Sequence, residues 1–141
     1  MKKYLIASHG KLADGLKSSI KILTGKTNIQ TIDAYLDGSD NKSNLDENLD
    51  KFLDSLNNDD YGIIFTDLLG GSVNREVMMK VNGESNVVVI TSVNLPTVMS
   101  VILDTEEPTE KHLQKLIDQS QVQISKMPKK ENVISDDDFL S

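Results

Sequence analysis

Apolar positions along this chain fall into two alternating patterns: short solid runs, and longer stretches with an apolar residue every three or four positions. Solid runs suit strands buried on both faces, and the wider spacing suits helices with one buried stripe. The first run, Lys3-Tyr-Leu-Ile-Ala-Ser8, ends at His9-Gly10 and is followed by Leu12, Leu16, Ile20 and Leu23 at helical spacing. This predicts a strand, a tight turn and an amphipathic helix. Gly25 stands where a left-handed cap favours a residue without a Cβ, and Lys26 complements the negative helix end, so the helix should stop near Thr24.

The alternation repeats. Ile29 to Leu36 predicts a second strand, and the polar stretch Asp37-Gly-Ser-Asp-Asn-Lys-Ser43 a loop. Leu45, Leu49, Phe52, Leu53 and Leu56 give a second helix, with Ser43 and Asn44 as capping residues and Asn57-Asn-Asp-Asp60 as its stop. Gly62-Ile-Ile-Phe-Thr-Asp67 predicts a third strand, followed by the turn Leu68-Leu-Gly-Gly-Ser72 and a helix through Val73, Val77, Met78 and Val81. Asn86-Val-Val-Val-Ile-Thr91 reads as a strand buried on both faces, leading through Ser92-Val-Asn-Leu-Pro96 into a helix from about Thr97 to Leu103. Pro96 suits the first helical turn. Leu113, Leu116 and Ile117 mark a last helix, which Val122 and Ile124 either prolong or follow as an alternating edge strand.

Strands alternating with helices predict an α/β fold, an open and mainly parallel doubly wound sheet with helices on both faces. Sites in such sheets form at the carboxyl ends of strands. Three places qualify: Ser8-His9-Gly10, Asp67 to Ser72, and Ser92 to Pro96, expected to line one crevice. His9 offers a nucleophilic ring nitrogen, since an ordinary imidazole titrates at about 6.5. Asp67 is placed to hold the other ring nitrogen and to stabilise positive charge as the ring attacks phosphorus. A planar, anionic phosphoryl group needs donors, for which Ser72 and the backbone amides of Gly10, Gly70 and Gly71 are the candidates. Each also has an ordinary structural reading: His9 as a turn residue, Asp67 as a cap, Gly70-Gly71 as turn geometry. Their joint placement favours chemistry.

Composition narrows the classes. The 141 residues have the length of one domain, and 22 Asp plus Glu against 15 Lys plus Arg leave a net charge of -7, which repels nucleic acid. No apolar run approaches the roughly 20 residues that span a bilayer, and the start is too short in apolar residues for a signal peptide, so a cytoplasmic protein is expected. With no cysteine there is no thiolate metal site, and His9 and His112 lie apart without an evident carboxylate cluster at ligand spacing; neither metal nor cofactor is expected. His112, between Lys111 and Leu113, reads as a surface residue with no carboxylate nearby. Met78, Met79 and Met99 read as core or interface filler.

The ordered segments Leu5-Ile-Ala-Ser-His9-Gly10, Leu23-Thr-Gly25, Phe65-Thr-Asp67-Leu-Leu-Gly-Gly-Ser72 and Val93-Asn-Leu-Pro96 carry a family likeness. Residues 1–127 resemble the IIA component of the mannose/fructose/sorbose class of the bacterial sugar phosphotransferase system. The resemblance implies a phosphotransferase in which His9 accepts a phosphoryl group from the carrier protein HPr and passes it to a IIB component, with Asp67 bonded to the other ring nitrogen and Ser72 helping to hold the phosphoryl group. It also implies a homodimer, often with an exchanged antiparallel carboxyl-terminal strand, for which Val122 and Ile124 qualify, and indirect association with membrane IIC and IID components. Many relatives have a small, proline-containing segment where Val73-Asn-Arg-Glu76 stands, which bears on partner selectivity. Residues 128–141 are expected as an acidic flexible tail, and the chain as a stand-alone IIA subunit. The alternatives are the phosphoryl donor of a dihydroxyacetone kinase, a regulatory binding module, and a small-molecule binder on a flavodoxin-like scaffold.

Overall fold

The computed structural model describes residues 1–36 and 43–128. The expected loop at 37–42 and the tail from 129 onward lie outside the described residues. The elements follow the anticipated order: β1 (Lys2–His9), α1 (Leu12–Thr24), β2 (Ile29–Ala34), α2 (Ser43–Asp54), β3 (Tyr61–Thr66), α3 (Ser72–Val81), β4 (Val87–Ile90), α4 (Leu95–Leu103) and α5 (Glu110–Asp118). The four strands form one sheet in the order β2-β1-β3-β4, and every pairing is parallel.

Alternate residues of each central strand feed two separate cores, because successive side chains point to opposite faces. Tyr4, Ile6, Ile63 and Phe65 pack with Ala13 and Ile20 of α1, Val98, Val101 and Ile102 of α4, and Leu113 of α5. Leu5, Ala7 and Ile64 pack on the opposite face with Leu45, Leu49 and Phe52 of α2 and Val73, Val77 and Val81 of α3. Helices therefore cover both faces, as parallel crossovers require. The chain leaves β1 toward β2 on one side and leaves β3 toward β4 on the other, so the carboxyl ends of β1 and β3 flank the topological switch point.

Several local expectations shift. In α1 the buried residues are Ala13 and Ile20, while Leu12 and Leu23 are exposed, so the buried stripe is rotated from the anticipated one. Gly25 does adopt the left-handed cap, at φ +77°. Ser43 and Asn44 are the first two residues of α2. Val87, Val88 and Val89 are only partly buried, because β4 is an edge strand with one paired neighbour. Met99 packs on the core, whereas Met78 and Met79 are exposed. Val122 and Ile124 extend neither α5 nor the sheet; both are exposed, and no antiparallel strand forms among the described residues of the single chain.

Candidate active site

His9 is the last residue of β1, and Gly10 turns the chain with a left-handed φ of +58°. The Gly10 amide donates to the carbonyl of Ala34 at 2.7 Å, tying the turn to β2, and Ser8 Oγ accepts the Ala13 amide at 2.8 Å at the start of α1. These bonds fix the direction in which the imidazole leaves the sheet.

The turn from β3 to α3 is held from three sides. Ser92 Oγ accepts the Leu69 amide at 3.2 Å, Asn74 Oδ1 accepts the Gly70 amide at 3.0 Å, and the Leu68 carbonyl accepts the Gly71 amide at 3.0 Å. Asn74, buried on α3, also donates to Thr66 Oγ1 at 3.2 Å. Ser92 adopts φ +52°, and its own amide reaches the Asp67 carbonyl at 2.6 Å. Gly70, at φ +77°, supplies the left-handed residue that the turn requires.

Between these two turns lies the imidazole. Its Nδ1 is 2.7 Å from Asp67 Oδ2, and the same oxygen accepts the His9 backbone amide at 2.7 Å. A carboxylate oxygen can only accept, so this contact places the proton on Nδ1 and leaves a lone pair on Nε2. That nitrogen faces Ser72 Oγ at 3.1 Å, at the amino end of α3. Both negative charge and an anion are favoured there, since first-turn amides have no partner within the helix. Asp67 Oδ1 is buried with no hydrogen-bond partner among the described residues, so the carboxylate is compensated through Oδ2, by the imidazole and the backbone amide of His9. The His9 side chain is 44% exposed against 9% for Asp67: the imidazole is open and the carboxylate is covered.

Of the expected phosphate donors, Ser72 points at Nε2. The amides of Gly10, Gly70 and Gly71 do not serve as free donors in this conformation, because each already bonds Ala34, Asn74 or Leu68. The two paired glycines instead serve the turn: Gly70 takes its left-handed φ, and a Cβ on Gly71 would press on the Leu68 carbonyl at 3.2 Å. The third expected segment contributes through Ser92 and through the Val93 amide, which reaches the Thr66 carbonyl at 3.3 Å, while Asn94 caps α4 through the Thr97 amide and donates to the Ser120 carbonyl near the end of α5.

Beside the site, Asp33 of β2 meets α1: its Oδ1 accepts the Asp14 amide at 3.3 Å, while Thr31 Oγ1 donates to Asp14 Oδ1 at 2.5 Å. Partial burial and the adjoining Asp14 carboxyl push Asp33 up to about 6.

A family model described as the phosphotransferase system fructose IIA component matches residues 3–121. The chain belongs to this family. An Enterococcus faecalis mannose/sorbose-specific IIA subunit superposes with a TM-score of 0.74 at 23% identity, covering 92% of this chain and 98% of that one. A Klebsiella pneumoniae protein described as a phosphoenolpyruvate-dependent sugar phosphotransferase system permease gives 0.69 at 28% identity, covering 83% and 84%. A Streptococcus agalactiae EIIA component gives 0.71 at 21% identity, covering 84% and 91%. No curated protein matches the chain.

This IIA component thus joins His9, Asp67 and Ser72 in one constellation at the switch point. Nothing in the chain's spacing singled out Tyr35 or Asn74; extending the strand-end rule to β2 would have reached Tyr35, whose ring stacks on His9. The expectation for His112 is corrected. Its Nε2 lies 2.8 Å from Asp104 Oδ1 and 3.2 Å from Glu106 Oε2, because the α4–α5 connection folds back over the start of α5. Asp104, Glu106 and His112 are the described groups that could hold a metal ion, but Lys2 Nζ already stands 3.5 Å from Asp104 Oδ2 and bonds two carbonyls of that connection.

Proposed function

We propose that this IIA component is a histidine phosphocarrier that takes a phosphoryl group from phospho-HPr onto His9 Nε2 and delivers it to a IIB component. The reading rests on one arrangement: Nδ1 held by Asp67, with Nε2 open beside Ser72 and the amino end of α3. The Nε2 lone pair forms the N–P bond as the donor's P–N bond breaks, its electron pair returning to the donor imidazole. Positive charge developing on the His9 ring is stabilised by Asp67, and Ser72 Oγ and the first amides of α3 face the transferred oxygens. Transfer to IIB reverses these steps. His9 stands on an open surface, while a cavity of about 550 Å³ lies elsewhere, along β4 and α5, which favours a protein over a small molecule as the phosphoryl partner. Incubation with phospho-HPr should give an acid-labile phosphate that moves to IIB and is absent in His9→Ala; retained labelling in that variant would refute the assignment.

We further infer a homodimer, in a cytoplasmic system whose sugar is handled by membrane IIC and IID components. Support comes from β4, whose outer edge is unpaired among the described residues, and from Val122 and Ile124, 88% exposed just after α5. The groove along β4 is lined by Val88, Ile90 and Val122, so an antiparallel segment from a second copy would complete the sheet there. Residues 1–127 then form the IIA domain and 128–141 a tail. Light scattering should give twice the chain mass, and replacing Val122 and Ile124 together by Asp should reduce it to one.

A further inference from the structure

β2 runs beside β1 with Ala34 opposite His9, and the next residue, Tyr35, turns the chain with φ +54°. A side chain with a Cβ is strained in this left-handed region, where glycine would be at ease. Such strain persists only where the surroundings over-determine it. Here they do: the partly buried Tyr35 ring packs against the core formed by Leu5, Ala7, Ala34 and Val73, and its face lies on the His9 imidazole, with ring centroids 5.1 Å apart and 22° between planes.

This contact completes the control of the imidazole. Asp67 and Ser72 hold its two nitrogens within the ring plane, at 2.7 and 3.1 Å, but neither opposes tilting out of that plane. The tyrosine face does. It also presents the negative side of an aromatic quadrupole to a ring that turns cationic as Nε2 bonds phosphorus, so the attraction is stronger in the transition state than in the resting protein.

We propose that Tyr35 is a positioning residue for phosphoryl transfer, a strained aromatic platform that keeps the His9 ring in the attacking plane and stabilises its developing positive charge. The inference rests on His9 being the phosphoryl acceptor. In the transfer step the His9 Nε2 lone pair makes the bond to phosphorus, the donor nitrogen keeps the electrons of the broken bond, and the Nδ1 proton stays shared with Asp67; Tyr35 exchanges no proton.

The test has two arms. In unphosphorylated protein, the carbon-bound ring protons of His9 should be shifted upfield by the tyrosine ring current, retained in Tyr35→Phe and lost in Tyr35→Leu. In transfer from phospho-HPr, Tyr35→Leu should lower kcat about two- to fivefold with KM unchanged, and Tyr35→Phe should retain most of the rate. Tyr35→Gly removes the ring and the backbone strain together, so it should lose the same rate as Tyr35→Leu. Wild-type kcat in both Leu and Gly variants, a change in KM alone, or a Phe variant as slow as Leu would overturn the proposal. If wild-type protein accepts no phosphate, the carrier reading fails while the ring-current arm still reports on the stack.

Discussion

His9 and His112 each hold a ring nitrogen close to an aspartate, at 2.7 Å from Asp67 and 2.8 Å from Asp104. The difference lies in which nitrogen is bound and what faces the rest of the ring. At His9 the carboxylate takes Nδ1, and Nε2 is left toward a serine hydroxyl and a helix amino end. At His112 the carboxylates of Asp104 and Glu106 both crowd Nε2, with Lys2 against the same aspartate. An incoming phosphoryl group would meet two negative charges there, and at His9 the positive end of α3. Partial burial opposes it, but the hydrogen bond and charge of His112, aided by Lys2, hold the Asp104 carboxyl below its ordinary value. The His112–Asp104 pair ties α5 to the α4–α5 connection, to which Lys2 joins β1, whereas the His9 pair leaves a ring nitrogen open.

The largest effect should come from exchanging the roles of the two rings. His9→Ala should abolish phosphoryl acceptance, while His112→Ala should leave transfer untouched and lower the melting temperature by about 2–4 °C. Both are read from a labelling assay and a thermal melt, and loss of labelling in His112→Ala would erase the distinction. Next come the carboxylates: Asp67→Ala should slow transfer by roughly 10² to 10³, the usual scale of a positioned acid–base partner, while Asp104→Ala should not. Single-turnover rates decide this. Ser72→Ala should cost about tenfold, the equivalent of one charge-assisted hydrogen bond of about 1.5 kcal/mol; a rate equal to wild type would remove Ser72 from the site.

The smallest effect concerns Asp33, which adjoins the active pole. Its carboxyl is raised from 3.8 to about 6, so its contribution to stability is full below 3.8 and is lost as pH rises through 6. Asp33→Asn should therefore melt about 1–3 °C above wild type at pH 7.5, with the gain vanishing near pH 4. Melting curves across that range check the sign, and a gain confined to acid pH would contradict it.

Both cores and the strand order's key consequence were legible because parallel strands concentrate apolar residues in solid runs, as Leu5-Ile-Ala and Ile63-Ile-Phe do. The strand-end rule then brought together His9 and Asp67, which stand 58 positions apart. What escaped depended on contacts that spacing does not encode. Tyr35 reaches His9 only through a left-handed bend, and Asn74 acts by stapling Thr66 to Gly70 rather than by facing the His9 ring. The glycine amides looked free in sequence, yet a turn that must be rigid consumes its own donors. His112 looked solitary because Asp104 is eight positions away, beyond one helical turn, and only the folded connection joins them.

The account turns on which nitrogen of His9 carries the phosphate. Phosphorus–nitrogen correlation NMR on uniformly ¹⁵N-labelled protein, phosphorylated through phospho-HPr, reads this directly. The geometry predicts coupling to Nε2 of His9, with Nδ1 still protonated against Asp67; phosphorus coupled to Nδ1, or to a nitrogen of His112, would contradict it.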